Sequence, residues 1–164
     1  MSVLGELQPN KVFKYFEEIC SIPHGSRNLQ QISDYLVDFA KAHELKYRQD
    51  EDLNVIIWKD GSKGYEASEP VILQGHMDMV AVKEADCDKN MEKEGLDLEI
   101  NGDYISAKGT SLGGDDGIAV AYTLAVLDDE EMAHPPIEAI FTVNEEIGML
   151  GACLLYTSDA ADEL

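Results

Sequence analysis

Basic residues are scarce in this sequence. Its 164 residues include 12 lysines and arginines against 33 aspartates and glutamates, which gives a formal net charge of −21. Proteins that bind nucleic acids or anionic membrane surfaces use clustered basic side chains, so this balance argues against both partners. The same charge attracts cations. We therefore expect no nucleic-acid partner and no membrane partner.

Long apolar runs and paired cysteines are also missing. No run approaches the roughly 18 apolar residues that cross a bilayer, and residues 1–10 lack the basic and apolar regions of a secretory signal. Three cysteines, Cys20, Cys87 and Cys153, cannot all pair with one another, and their spacing fits no structural zinc site. These absences predict a protein of the reducing cytoplasm.

The last twelve residues differ in character from the rest of the chain. The string CLLYTSDAADE, which begins at Cys153, matches the conceptual translation of a sequencing transposase adapter, whereas the alternative is an ordinary acidic surface turn. We interpret residues 1–152 as the protein's own sequence and residues 153–164 as a non-native tail. Without that tail the chain has 30 acidic and 12 basic residues, a net charge of −18.

Hydrophobic spacing predicts helices that alternate with short strands. The segments with helical spacing are 9–23, 28–46 and the very apolar 118–127. The segments with the short apolar runs of strands are 54–58, 137–143 and 70–75, the last of which we expect to be buried. Asn101-Gly102-Asp103 predicts a hairpin turn between 98–100 and 104–106. This alternation predicts an α/β layered fold.

The first chemical motif is His76-Met77-Asp78, directly after the predicted strand at 70–75. In an extended segment the side chains of residues i and i+2 point to the same side. The imidazole can then bind a metal ion while the carboxylate orients the ring. A loop histidine beside a turn aspartate is the alternative that this motif, taken alone, leaves open.

A glycine-rich turn at 109–117 is the second motif, with Asp115 and Asp116 directly before the predicted buried helix. One aspartate is enough to cap a helix, and two adjacent carboxylates repel each other unless they share a cation. A phosphate-binding loop is the other interpretation of the glycines. The two aspartates and the absence of a lysine argue against it.

Glu145 and Glu146 form the third motif, after the predicted strand at 137–143. Paired carboxylates there are costly unless they reach solvent or bind a cation, and a general base beside a metal ligand would use such a pair. One imidazole and several carboxylates at element ends suit zinc, manganese or cobalt. A calcium loop starting at Asp86 is disfavoured, because its sixth position is Met91 instead of glycine.

These motifs resemble those of the aminoacyl-histidine dipeptidases (peptidase D, or cytosolic non-specific dipeptidases), a family of two-zinc exopeptidases. The resemblance extends over residues 1–152. It is carried by Ser21-Ile-Pro, Gln74-Gly-His-Met-Asp78, Gly102-Asp-Tyr-Ile-Ser-Ala-Lys-Gly-Thr-Ser-Leu-Gly and Thr142-Val-Asn-Glu-Glu-Ile-Gly148. It implies the N-terminal part of a zinc-exopeptidase catalytic domain, in which helices flank a mixed sheet.

The resemblance also implies a role for five side chains. His76, Asp115 and Glu146 match zinc ligands, and Asp115 is the one that bridges the two ions. Asp78 matches the carboxylate that orients His76. Glu145 matches the general base that activates the attacking water. The implied reaction is the hydrolysis of dipeptides, Xaa-His among a broad range, by a cytoplasmic homodimer.

Parts of such an enzyme have no counterpart in this sequence. The family has a further aspartate and a late histidine that complete the zinc sites, and a domain for dimerisation or closure over the substrate. We therefore expect a fragment with little or no activity of its own. A related two-zinc deacylase or aminotripeptidase is the alternative enzyme, and a non-catalytic, acidic metal-binding fragment is the alternative outside enzymes. Asp116, where many relatives carry asparagine, is interpreted as a neighbour of the bridging residue.

Overall fold

A computed structural model describes the backbone of residues 2–162 and the side chains of residues 2–156. Within this part the helices are α1 (Asn10–Cys20), α2 (Gln30–Ala42), α3 (Gly114–Leu127) and α4 (Leu150–Asp162). The strands are β1 (Lys46–Gln49), β2 (Val55–Lys59), β3 (Val71–His76), β4 (Leu98–Asn101), β5 (Tyr104–Ala107) and β6 (Ile137–Thr142). The α/β class expected from the sequence is confirmed.

Four strands form a mixed sheet in the order β1-β2-β6-β3. Strand β6 pairs antiparallel with β2 and parallel with β3. Gly75 lies opposite Phe141 and His76 opposite Thr142, so the carboxyl ends of β3 and β6 meet at the same edge. Whatever follows these two strands is therefore brought together by the sheet itself.

One face of the sheet carries the hydrophobic core. Helix α3 packs on β3 and α1 packs on α3, while α2 covers β1 and β2. Leu36, Ile57, Val120 and Phe141 come from four different elements and are fully buried there. Burial of each such side chain contributes about 1.5–3 kcal/mol. This packing holds the amino end of α3 against the end of β3.

Gly75 sets how closely α3 approaches β3. A Cβ atom at this position would lie 3.1 Å from Asp116 Oδ2 and 3.4 Å from Ala119 Cβ. A side chain there would push the helix away from the strand, so glycine is the residue that the close approach requires.

Two sequence predictions are wrong in detail, one about helix α2 and one about strand β3. The second helix ends at Ala42 instead of near residue 46, and the chain reverses through Glu44, at φ +55°, into β1. Strand β3 is not a buried strand, since the Ile72 side chain is 60% exposed and only Gly75 and His76 at its end are buried. Among the described strands, β3 is paired on one side only, with β6, and so lies at an edge of the sheet. The apolar composition of a strand does not reveal whether it lies at an edge or in the centre.

The predictions for the middle of the chain agree better with the structure. Strands β4 and β5 form the expected hairpin, in which Gly102 adopts φ +62°. Helix α3 begins before residue 118, but Asp115 and Asp116 have non-helical backbone angles within its first turn.

In the part of the chain that the structure describes, no helix combines the length and apolar character needed to cross a membrane.

Candidate metal centre

Three chain segments converge at the edge where β3 and β6 end. His76 is the last residue of β3, and its Nε2 lies 3.1 Å from Asp115 Oδ1 at the start of α3. The same Nε2 lies 3.8 Å from Glu145 Oε2, just beyond β6. One donor atom from each of His76, Glu145 and Glu146 lies within 4.8 Å of the other two. The structure thus brings together side chains that the sequence separates widely.

Asp78 lies beneath this cluster and contacts several of its members. Its side chain is almost completely buried, at 1% exposure. The backbone N–H of Glu145 donates to Oδ1 at 3.0 Å, and that of Glu146 donates to Oδ2 at 3.4 Å. Burial alone would raise the pKa of Asp78, but these bonds and those from His76 and Ser26 outweigh it and lower the pKa below its usual value.

The ring of His76 is oriented by Asp78 as well. Nδ1 donates to the backbone carbonyl oxygen of Asp78 at 2.9 Å and lies 3.6 Å from the Asp78 carboxylate. The Asp78 carboxylate is the largest influence on the ring and, with the Asp78 carbonyl and Asp115, it raises the pKa of His76 to about 9 against the effect of burial. Because Nδ1 is occupied as a donor, Nε2 is the nitrogen available to a metal ion.

The adjacent aspartates of the glycine-rich turn have different surroundings. The Asp115 side chain is 91% exposed and points at His76 Nε2. The Asp116 carboxylate faces Gly75 of β3. Burial raises its pKa, and the influence of His76 and of the Ala119 backbone offsets this rise only in part. Of the two carboxylates, that of Asp115 faces His76 Nε2 and that of Asp116 faces Gly75 of β3.

The donor set fits a divalent cation. An imidazole and carboxylate oxygens are ligands that zinc, manganese and cobalt accept. Donor atoms that bind one ion at about 2.0–2.2 Å lie roughly 3–4 Å from one another. The donor atoms of His76, Glu145 and Glu146 lie within 4.8 Å of one another, so a small inward movement of these side chains would let them bind the same ion. Asp78, Asp115, Asp116, Glu145 and Glu146 bring five carboxylates to one place, and a cation would relieve their mutual repulsion.

Sequence reasoning missed two polar residues beside the cluster. The hydroxyl of Ser26 donates to Asp78 Oδ2 at 2.8 Å. The side-chain oxygen of Asn144, a residue with φ +54°, accepts the backbone N–H of Arg27 at 2.8 Å. Neither residue shows a spacing or a periodicity that would single it out. Their only signal in the sequence is proximity to Ser21-Ile-Pro and to the Glu145-Glu146 pair.

A cavity of about 590 Å³ opens beside the cluster. His76, Asp115 and Glu145 form its polar side, and Ile140, Met149 and Leu155 are among its apolar lining. A larger cavity of about 940 Å³ lies between residues 25–28 and 81–93. Its lining includes no histidine and no paired glutamates. The smaller cavity therefore combines a donor cluster with room for a small organic molecule.

Comparison with known proteins gives a consistent picture. No family model matches the chain. The "Cytosol non-specific dipeptidase" of Escherichia coli (strain K12) is 41% identical to it over 152 residues, which is 93% of this chain and 31% of that protein. The chain thus spans about a third of the length of this curated relative.

Solved structures share the fold. The aminoacylhistidine dipeptidase from Vibrio alginolyticus superposes with a TM-score of 0.88 at 40% identity, covering 91% of this chain and 30% of that one. A tripeptidase from Staphylococcus aureus superposes with a TM-score of 0.71 at 25% identity, covering 90% of this chain and 40% of that one. Both the fold and the resemblance expected from the motifs are confirmed.

Proposed function

We propose that this chain, which is related in both sequence and fold to the aminoacylhistidine dipeptidases, is the metal-binding portion of a dipeptide hydrolase. The observation that carries the proposal is the convergence of His76, Glu145 and Glu146 within 4.8 Å at the carboxyl ends of two parallel strands. The family relationship supplies the reaction class, and the site supplies donors suited to that chemistry.

The donors divide into ligands and a base. His76, Asp115 and Glu146 would hold two divalent ions, with Asp115 shared between them. Zinc is the expected metal, and manganese or cobalt would suit the same donors. Bound ions supply Lewis-acid polarisation of the peptide carbonyl and a lowered pKa for water.

Glu145 would act as the general base. Its Oε2 lies 3.8 Å from His76 Nε2, and its side chain is 38% exposed, so it can reach a water molecule at the mouth of the cavity. It would take one proton from the attacking water and deliver it to the leaving amine nitrogen. Its backbone N–H donates to the buried Asp78 carboxylate, which limits how far the base can move.

The substrate and the setting follow from the same relationship. We propose that the whole protein cleaves dipeptides, Xaa-His among them, in the cytoplasm and as a homodimer.

The shared ligand Asp115 would leave each ion two protein ligands from His76, Asp115 and Glu146, whereas catalytic zinc usually has three. We therefore expect this chain alone to bind metal more weakly than the whole enzyme and to hydrolyse dipeptides slowly or not at all.

Metal binding by the isolated chain provides the test. After incubation with Zn²⁺ and removal of free ions, the chain should retain metal, and His76→Ala should lose most of it. The matched control is His134→Ala, which removes another buried histidine, one that contacts the Pro135 carbonyl oxygen instead of the cluster. Equal metal content in all three proteins would contradict the proposed site.

Hydrolysis is measured on a longer protein that contains this sequence. We expect metal-dependent cleavage of Xaa-His and other dipeptides. The similarity to a tripeptidase makes tripeptide cleavage the second candidate. A panel of dipeptides, tripeptides and N-acyl amino acids separates the dipeptidase from an aminotripeptidase and from a deacylase. Failure to cleave every member of the panel would contradict the enzyme assignment.

A further inference from the structure

The segment from His24 to Arg27 lies across the ends of both strands that lead into the metal centre. Beside β3, the backbone N–H of Met79 donates to His24 O at 3.2 Å, and that of Ser26 donates to Met79 O at 3.1 Å. Beside β6, the backbone N–H of Arg27 donates to Asn144 Oδ1 at 2.8 Å. One short segment thus connects the chain after β3 with the chain after β6.

Within this segment, the Ser26 side chain contacts Asp78 directly. Its hydroxyl lies 2.8 Å from Asp78 Oδ2 and 3.5 Å from Met79 O. The shorter contact, to a carboxylate, is the stronger hydrogen bond. Neither of these hydrogen bonds goes to His76 or to the glutamates, so their effect on those residues is transmitted by Asp78.

Asp78 is well placed to transmit that effect. Its Oδ1 accepts the Glu145 N–H and faces His76 Nδ1 at 3.6 Å, while its Oδ2 accepts the Glu146 N–H and the Ser26 hydroxyl. A rotation of this carboxylate would therefore alter the orientation of all three residues that cluster within 4.8 Å. The Ser26 hydrogen bond to Oδ2 opposes that rotation.

We propose that Ser26 is a positioning residue for the metal centre, which it orders by holding the Asp78 carboxylate in one rotamer. The inference rests on the proposed function, because it requires that His76 and the glutamates bind a cation. Outer hydrogen-bond partners of metal ligands typically change metal affinity by about 10–100-fold. Since Ser26 is one step further from the ion than Asp78, we expect the lower end of that range.

Co²⁺ titration of the full 164-residue chain, followed by visible absorption, tests this proposal. Ser26→Ala should raise the dissociation constant about tenfold and alter the ligand-field spectrum. Ser26→Thr, which keeps the hydroxyl, should restore both to near the original values. In a double-mutant cycle with Asp78→Asn, the two changes should be strongly non-additive, because Ser26 acts through Asp78.

A matched control separates positioning from general stability. Ser33 is fully buried and its hydroxyl donates to Leu53 O at 2.8 Å, away from the site. Ser33→Ala should lower the unfolding temperature of the metal-free protein without altering the Co²⁺ spectrum. If Ser26→Ala and Ser33→Ala change affinity and spectrum equally, Ser26 is merely structural and the inference is overturned.

The remaining outcomes are also distinct. If the original chain binds Co²⁺ and Ser26→Ala binds it equally well with the same spectrum, the inference is overturned while the proposed function stands. If the original chain binds Co²⁺ no better than His76→Ala does, both are overturned. Tenfold weaker binding by Ser26→Ala, with recovery by Ser26→Thr, supports the positioning role.

Discussion

The Nδ1 atom of His76 lies 2.9 Å from the backbone carbonyl oxygen of Asp78. A carbonyl oxygen can only accept a hydrogen bond, so Nδ1 keeps its proton in both charge states of the ring. Nε2 is then the nitrogen that gains or loses a proton. It is also the nitrogen that faces Asp115 and Glu145. A proton and a metal ion therefore compete for the same lone pair.

Metal uptake should accordingly release a proton. With a pKa of about 9, His76 is protonated at pH 7 in the metal-free protein, so Zn²⁺ binding should release close to one proton there. Affinity should fall as the pH is lowered. Calorimetry in two buffers of different ionisation enthalpy measures the number of protons released. A value near zero at pH 7 would show that Nε2 is not a ligand.

The same titration affects the stability of the metal-free protein. The folded pKa of about 9 is above the ordinary value of 6.5, so protonated His76 stabilises the fold. That contribution is complete below pH 6.5 and is lost as the pH rises through about 9. Urea unfolding between pH 6 and pH 10 should show this decline in the original chain and not in His76→Gln.

Replacing the adjacent aspartates one at a time should separate ligand from anchor. Asp115→Asn should weaken Zn²⁺ binding at least tenfold, because the exposed carboxylate that faces His76 Nε2 loses its charge. Asp116→Asn should leave the affinity within about threefold, since the inward-facing amide oxygen still accepts backbone N–H groups. Competition with a chromophoric chelator measures both. Stronger loss in Asp116→Asn would reverse the assignment.

Glu145 and Glu146 should behave differently when each is truncated in the longer enzyme. Glu145→Ala should lower turnover by a factor of 10² or more while metal remains bound, as expected for a general base. Glu146→Ala should lower metal content together with turnover. Metal analysis and dipeptide hydrolysis on the same samples decide this. Metal loss in Glu145→Ala would make Glu145 a ligand, as its place within the 4.8 Å group would also permit.

Glu17 should make the fold sensitive to acid. Its carboxylate accepts the Ser2 hydroxyl and the backbone N–H groups of Val3 and Leu4, and the Leu4 side chain is fully buried. Burial raises the pKa of Glu17, but these bonds outweigh it and leave the pKa below 4.5. The stabilisation is therefore present above pH 4.5 and is lost as the pH falls through the lower folded value.

Glu17→Gln should accordingly reduce the free energy of unfolding at pH 7 by about 1 kcal/mol, after allowance for solvent screening. The difference from the original chain should be smaller at pH 3 than at pH 7, because protonation of Glu17 removes the charge that glutamine also lacks. Exposed Glu6 offers the control, since Glu6→Gln should change stability little at either pH. Urea titrations at the two pH values measure all three proteins.

Removing residues 153–164 should change the fold little. Leu154 and Tyr156 are 44% and 78% exposed, whereas the buried Gly151 donates its N–H to Val143 O at 2.9 Å and precedes the cut. The side chains of Asp159 and Asp162 lie outside the described residues. We expect the free energy of unfolding of the 1–152 protein to lie within about 1 kcal/mol of that of the full chain. We also expect the two proteins to bind Zn²⁺ equally well. A marked loss of metal affinity would indicate that the tail contributes a ligand.

Local signals in the sequence were sufficient for much of this protein. The apolar spacing of α1, the turn at Gly102 and the apolar segment of α3 each depend on neighbouring residues, and each prediction is confirmed. The three acidic motifs could also be recognised from the sequence, because each follows or precedes an element whose pattern is clear.

Tertiary structure decided the remainder. The exposed strand β1 exists through its pairing with β2, and Ile72 is exposed because β3 has one described neighbour; neither fact is encoded in the residues themselves. The contacts of Asp78 with Ser26 and with the backbone of Glu145 join segments 52 and 67 residues apart. Such hydrogen bonds depend on distances across the fold. Composition and periodicity report only on each residue's own element.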